Sequence, residues 1–276
     1  MKQYRRCAMV NSIANPLPSD VQFEKQLGKL AAFVRVMRQA GLHVDDALQM
    51  AIDDPKMRER LIRFWNAGGY ELTESQRYAV EVMDNPSTGG FIGIKEAVRF
   101  FGVTPTEADF DALAEVPFTG AELYAAKSTH ILVAVFPLSI TDLIRVTKDP
   151  MFFGENWCYE RMFANSVDGA GWHLIRKTPV ENSMDKKLGD QMALLSGNEY
   201  VPSARVIVYA MICHYLKVRE KLFSGVHVRC RDIEPMRRQI SVGYSPRGIH
   251  IAHEDDGGDH PDDGMGLASA IRPSRE

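Results

Sequence analysis

The first half of the chain carries apolar residues at spacings of three and four. Between residues 19 and 41 these positions lie on one stripe, which ends at Gly41. Such spacing predicts an amphipathic helix with one buried face. Shorter helices follow, and capping patterns begin two of them at Thr73 and Thr119. The sequence therefore predicts a helical domain over residues 1–127.

The pattern changes near residue 129, where continuous apolar runs replace the helical spacing. Residues 131–136 are all apolar and end at Pro137, which predicts a strand that is buried on both faces. Residues 171–177 predict a second strand. The segment 203–217 is apolar on nearly every side, which predicts a central buried helix.

The last part of the chain alternates between apolar and polar residues with a period of two. This alternation predicts the four strands of a β-meander, at 226–231, 239–244, 248–254 and 265–271. The sequence therefore predicts an α+β fold. In it, an N-terminal helical region packs on a C-terminal domain, residues 128–276, that holds a largely antiparallel sheet and the central buried helix.

Three stretches of the second half carry a resemblance to a known family. They read G-W-H-L-I-R-K-T-P-V at 171–180, P-S-A-R-V at 202–206 and L-F-x-x-V-x-V-R-C at 222–230. With these stretches the chain resembles a family of bacterial proteins of unknown function. The resemblance implies a bacterial or mobile-element source, and it implies no catalytic residue.

The overall charge and the apolar segments exclude several classes of protein. With 276 residues and a formal net charge of −3, the chain does not coat nucleic acid or acidic lipid by total charge. The apolar run at 7–10 is too short for a secretory signal, and no segment reaches the roughly 20 apolar residues of a membrane span. The four scattered cysteines are typical of reduced thiols. The sequence predicts a soluble, cytoplasmic protein without membrane contact.

Two short motifs point to chemistry but have simpler explanations. Residues 96–106 resemble the start of a helix-turn-helix, yet the next helix, at 107–115, carries four carboxylates and no basic residue. DNA affinity depends on Lys and Arg, so we interpret this stretch as a structural helical corner. Cys158 and His173 could form a nucleophile and its base. No third group orients them, so we interpret them as a buried thiol and a sheet histidine.

An acidic segment separates the last two predicted strands. Residues 254–263 contain six carboxylates, and histidines lie beside and within them. Carboxylates and imidazoles at glycine-spaced positions can bind a hard or borderline cation, so the candidate metal ligands are His253, Asp255, Asp256 and His260. The spacing matches neither a calcium loop nor the H-E-x-x-H pattern. A solvated hairpin tip explains the same composition.

The most distinctive charge feature lies in the predicted meander. From residue 217 to residue 247 the chain has eight basic residues and three acidic ones. Strand alternation assigns Val228 and Cys230 to the core. The residues that alternate with them, such as Arg229 and Arg231, lie on the opposite, Arg-rich face. The candidate residues for binding an anionic partner are His227, Arg229, Arg231, Arg238 and His250. That partner is a nucleic acid, a nucleotide or an acidic protein. Alternatively, the acidic segment neutralises this charge internally.

Two functional classes stay open from the sequence alone. The leading hypothesis is a non-catalytic binding or accessory protein that engages an anionic partner through the Arg-rich sheet face. The alternative is an enzyme, a metal-assisted hydrolase or nuclease that uses the acidic segment. The sequence does not identify a cofactor for either class.

Arg205 lies at the start of the predicted buried helix. A guanidinium at this end of a helix opposes the helix dipole, and an unpaired buried charge costs several kcal/mol. We therefore expect Arg205 to have a specific carboxylate partner.

Overall fold

A computed structural model describes residues 71–84, 89–147, 151–152, 156–254, 260–261 and 263–274, together with scattered positions between 34 and 56. The chain divides into two compact units, Met1–Arg63 and Phe64–Glu276. In the first unit, the described positions are helical except Asp54, and most of the predicted helix at 19–41 lies outside the described residues. The predicted domain boundary near residue 127 stays a prediction.

The described part of the second unit contains eight α-helices and nine strands. The helices are α1 (Glu74–Met83), α2 (Ile94–Phe101), α3 (Glu107–Ala114), α4 (Gly120–Ala126), α5 (Ile140–Val146), α6 (Met162–Asn165), α7 (Leu188–Met192) and α8 (Ala204–Val218). The strands are β1 (Phe91–Ile92), β2 (His130–Val135), β3 (Gly171–Arg176), β4 (Glu199–Tyr200), β5 (His227–Glu234), β6 (Arg238–Ser245), β7 (Gly248–Glu254), β8 (Met265–Leu267) and β9 (Ala270–Ile271).

Local capping sets the ends of the early helices. Thr73 accepts a hydrogen bond from the Gln76 amide at 3.2 Å, and its own amide donates to the Gln76 side chain at 3.1 Å. The same reciprocal pair joins Thr119 and Glu122, so both predicted capping boxes are confirmed. Gly102 ends α2 in the left-handed region, with φ of 66°, which glycine adopts without steric cost.

The strands form two sheets. The first has the order β1-β2-β3-β9-β4, with β1 and β2 parallel and the remaining pairs antiparallel. The second has the order β7-β6-β5-β8, in which β5, β6 and β7 form an antiparallel meander. The predicted α+β fold with a largely antiparallel sheet is confirmed. All six residues of β2 are buried, as its apolar run predicts.

The last predicted strand, 265–271, is wrong as a fourth strand of the meander. Residues Met265–Leu267 form β8, which pairs with β5 in parallel. The chain then leaves this sheet, because the Ser269 carbonyl accepts from the Arg176 amide at 3.0 Å and β9 pairs with β3 and β4. Strand alternation in sequence cannot identify the partner of a strand, since pairing joins residues that are distant along the chain.

Helix α8 is the central buried helix that the sequence predicts. Every residue from Ala204 to His214 is buried, and the helix packs against β2 of the first sheet and β5 and β6 of the second. Ser203 caps its start by accepting from the Val206 amide. Among the described residues, no helix is long and apolar enough to cross a membrane.

Arg205 has the carboxylate partner that its position on α8 predicts. Arg205 is almost completely buried, with 3% of its surface exposed. One guanidinium nitrogen donates to the carbonyl oxygen of Phe136 at 3.0 Å, and the other lies 3.3 Å from Asp168 Oδ2. The Asp168 side chain is 68% exposed, so this ion pair joins the protein interior to the surface.

Candidate functional site

The predicted Arg-rich face is not an open surface at its centre. Arg229 does project away from the core that Val228 enters, as strand alternation requires. Yet Arg229 is 0% exposed. Arg229 is therefore not an exposed residue of the Arg-rich face, because residues near α7 and the end of β7 cover it.

The hydrogen bonds of Arg229 explain how it is buried. Its Nε donates to both carboxylate oxygens of Glu254, at 2.9 and 3.0 Å, and Nη2 donates to Glu254 Oε2 at 2.6 Å. Nη1 donates to Gln191 Oε1 at 2.8 Å and to the Lys186 carbonyl oxygen at 2.7 Å, while Nη2 also reaches the His260 carbonyl oxygen at 3.4 Å. These acceptors satisfy the guanidinium within the chain, so Arg229 has a structural role.

Arg231 and Arg238 differ from Arg229 because the pairing of β5 with β6 slips. Arg229 pairs with Ser241 and Ile233 pairs with Gln239, so the residues 230–232 face a single residue of β6. This irregularity leaves Arg231 exposed and Arg238 half-buried. The expected row of arginines on one flat face is therefore broken, since a bulge redirects the side chains around it.

The two histidines of the predicted face lie together. His227 pairs with Gly243 across β5 and β6, and Gly243 pairs with His250 across β6 and β7. The rings of His227 and His250 are 5.2 Å apart between centroids. Both residues are half-buried.

The four candidate metal ligands are not brought together in the part of the chain that the structure describes. His253 packs edge-on against Trp157, with ring centroids 5.0 Å apart, and His260 contributes its carbonyl oxygen to Arg229. Asp255 and Asp256 lie outside the described residues. No group of three or more His, Cys, Asp or Glu side chains within the described ranges could hold a metal ion. A metal site in the acidic segment stays a prediction.

A cavity of about 500 Å³ lies between two turns of the second unit. One turn follows β3 and the other precedes β5. The walls are mostly apolar, while ammonium, hydroxyl and amide groups and one carboxylate line the rest. The lining residues are Lys177, Thr178, Pro179, Val180, Glu181, Asn182, Met184, Lys221, Phe223, Ser224 and Val226. Ligand sites commonly have this volume and this mixture of apolar walls with a few polar groups.

The two lysines of the cavity occupy defined positions. Burial lowers the pKa of Lys177, and the nearby Glu220 opposes this effect. The main chain of Lys177 is fixed, because its amide donates to the Thr129 carbonyl oxygen at 2.9 Å. Lys221 Nζ lies 4.9 Å from the centre of the Tyr244 ring, within the range of a cation–π contact. The lining therefore contains two lysines and a single acidic residue, Glu181.

Backbone strain accompanies the cavity. Phe223 and Asn182 both line it, and both lie in the left-handed region, with φ of 53° and 60°. This conformation is rare for an aromatic residue, and strained residues are concentrated at functional sites. Neither lysine is among the candidate residues predicted from the sequence, although Lys221 lies in the basic stretch. The turn formers after each, Thr178-Pro179 and Ser224-Gly225, are the signal that could have drawn attention to them.

The residues of the two short motifs have defined places in the described part of the chain. Burial raises the pKa of the Cys158 thiol. His173 lies on β3 and bonds through Nδ1 to the Tyr200 hydroxyl at 2.7 Å instead of to Cys158. Helices α2 and α3 form the helical corner, and α3 begins with a capping box at Thr106.

The chain was compared with models of protein families, with curated proteins and with solved structures. The bacterial or mobile-element source that the resemblance implies stays a prediction, and so does a cytoplasmic location. None of the three comparisons finds a match to this chain.

Proposed function

We propose that this chain binds a small anionic molecule in the cavity between residues 177 and 226. The ligand carries a carboxylate or phosphate group and an apolar part. The observation that supports this proposal is the pair Lys177 and Lys221 set against the apolar walls of a cavity of about 500 Å³. The ligand is anionic, as the basic stretch led us to expect, but it binds in the cavity instead of on the sheet face.

The electrostatics favour an anion over a neutral ligand. A buried ammonium loses hydration, which is why burial lowers the pKa of Lys177. A bound anion offsets this loss, since an opposite charge within a few ångströms favours the protonated form. The apolar side chains of Phe223, Val226 and Met184 then cover the rest of the ligand and supply affinity by burial of apolar surface.

The experiment is a thermal-shift screen followed by calorimetry. The probes are inorganic phosphate, hexanoate, adenosine nucleotides and, as polymers, heparin and short DNA. A ligand at 100 times its Kd stabilises the folded chain by about 2.7 kcal/mol, so a small anion that fits raises Tm measurably. The affinity should fall as salt is added, because salt screens charges that are partly exposed.

Matched variants locate the binding. Lys177→Met and Lys221→Met keep the length of the side chain and remove its charge, and each should weaken the best small anion about tenfold. Lys95→Met is the control, because Lys95 is exposed on α2 and does not line the cavity. Equal affinity in all three variants would refute the proposal. Binding of heparin or DNA alone would instead favour a polymeric partner.

A further inference from the structure

His227 and His250 form a pair that the strand register creates. They lie on the first and third strands of the meander, and each pairs with Gly243 on the strand between them. Residues directly opposite one another project from the same face of a sheet. His227 and His250 lie on the face of the sheet opposite to the one from which Val228 and Val242 enter the core. Both imidazoles therefore project from one side of the sheet.

Gly243 lets the two rings approach. A β-carbon at this position would lie 2.7 Å from His227 Cγ and 2.6 Å from the Val226 carbonyl oxygen. Neither separation is compatible with a side chain. The imidazole of His227 occupies the space that a side chain would fill, and its ring centre lies 5.2 Å from that of His250.

This separation matches two imidazoles that share a metal ion. An imidazole nitrogen binds Zn²⁺ at about 2.0–2.1 Å and lies roughly 1.1 Å from its ring centre, so two rings at a tetrahedral angle have centres about 5 Å apart. Imidazole prefers borderline cations such as Zn²⁺, Ni²⁺ and Cu²⁺, whereas Mg²⁺ and Ca²⁺ prefer oxygen ligands. We propose that His227 and His250 together bind a borderline divalent cation of the Zn²⁺ class, with its other coordination positions held by water or by a ligand.

This site is distinct from the other candidates. It uses neither His253 nor His260, the two histidines of the acidic segment, and neither of its histidines lines the cavity. Cation binding by this pair therefore does not depend on the proposed anion site. Two protein ligands leave coordination positions open for exchange, unlike the four protein ligands that close the sites of structural zinc.

Calorimetric titration of the full chain tests the proposal. Zn²⁺ should bind at one site per chain, and Mg²⁺ should not. His227→Gln and His250→Gln should each weaken Zn²⁺ binding by about tenfold or more. His253→Gln distinguishes the acidic segment from the pair, because His253 lies on the same strand as His250 but packs against Trp157. Loss of affinity in His253→Gln, with full affinity in His227→Gln, would overturn the proposal.

A measurement on the unaltered protein covers the case in which a variant does not fold. Diethyl pyrocarbonate modifies accessible imidazoles, and peptide mass spectrometry locates the modified residues. Zn²⁺ should slow the modification of both His227 and His250, and Mg²⁺ should not. Equal modification of both residues with and without Zn²⁺ would overturn the proposal, whatever the variants show.

Discussion

Replacement of Arg229 by alanine should cost a large part of the stability of this protein. The guanidinium is fully buried and donates to Glu254, Gln191 and the Lys186 carbonyl oxygen. Its removal leaves a carboxylate that is 9% exposed without its cation. Breaking a buried pair in this way costs about 3–5 kcal/mol, while a whole domain is stable by only about 5–15 kcal/mol. We therefore expect Arg229→Ala to lower the free energy of unfolding by about 3–5 kcal/mol.

Urea unfolding, followed by circular dichroism, measures this loss as a shift of the midpoint at constant slope. Arg231→Ala is the matched control, because Arg231 is exposed two residues further along β5 and should change stability by less than about 0.5 kcal/mol. The double variant Arg229→Ala with Glu254→Ala should lose less than the sum of the single losses, because it leaves no unpaired carboxylate. A loss below about 1 kcal/mol in Arg229→Ala, or additive losses, would refute this account.

Three further predictions concern α8, the histidines His130 and His173, and the domain boundary. Arg205→Ala should destabilise the protein by more than about 2 kcal/mol in the same urea assay, because its cation is buried and paired. Burial lowers the pKa of both His130 and His173 from 6.5 to about 4. The unfolded chain therefore binds these protons at higher pH than the folded chain does. The contribution of the two neutral histidines to the free energy of unfolding is complete above pH ~6.5 and is lost as the pH falls towards ~4. Their glutamine variants should each flatten stability against pH in this window. The hydrophobic core contains residues on both sides of residue 127. We therefore expect, against the predicted boundary, that of two fragments beginning at Phe64 and Ser128 only the longer melts cooperatively by circular dichroism; cooperative melting of both would support the boundary.

Local signals in the sequence were sufficient for most elements of the second unit. The capping boxes at Thr73 and Thr119 depend on side chains three residues apart, so sequence spacing alone reveals them. Helix α8 and strand β2 are buried on all sides, and a continuous apolar run predicts such burial directly. Arg205 was also predictable, because a charge in this setting requires a partner. Its position indicated a carboxylate without identifying Asp168.

The candidate site was less predictable because it depends on contacts between distant residues. Arg229 was assigned to the correct side of its strand, but the residues that cover it come from 186–191 and from Glu254. Alternation gives the direction of a side chain and not what lies above it. The slip in pairing after Arg229 had no signal in the sequence either. The cavity is formed by two turns whose lysines are 44 positions apart by their numbering, so no local motif could reveal it.

The start of β5 connects the two proposed sites. Val226 lines the cavity, and His227, the next residue, belongs to the histidine pair. Gly243 lies beside both, because a β-carbon there would meet the Val226 carbonyl oxygen as well as the His227 ring. Two residues further along β5, the bonds of Arg229 fix the strand to Glu254. A strand held in this way cannot shift to accommodate a side chain at Gly243, since close-packed interiors transmit strain. A side chain at Gly243 would therefore disturb the cavity wall at Val226 and the imidazole of His227 together.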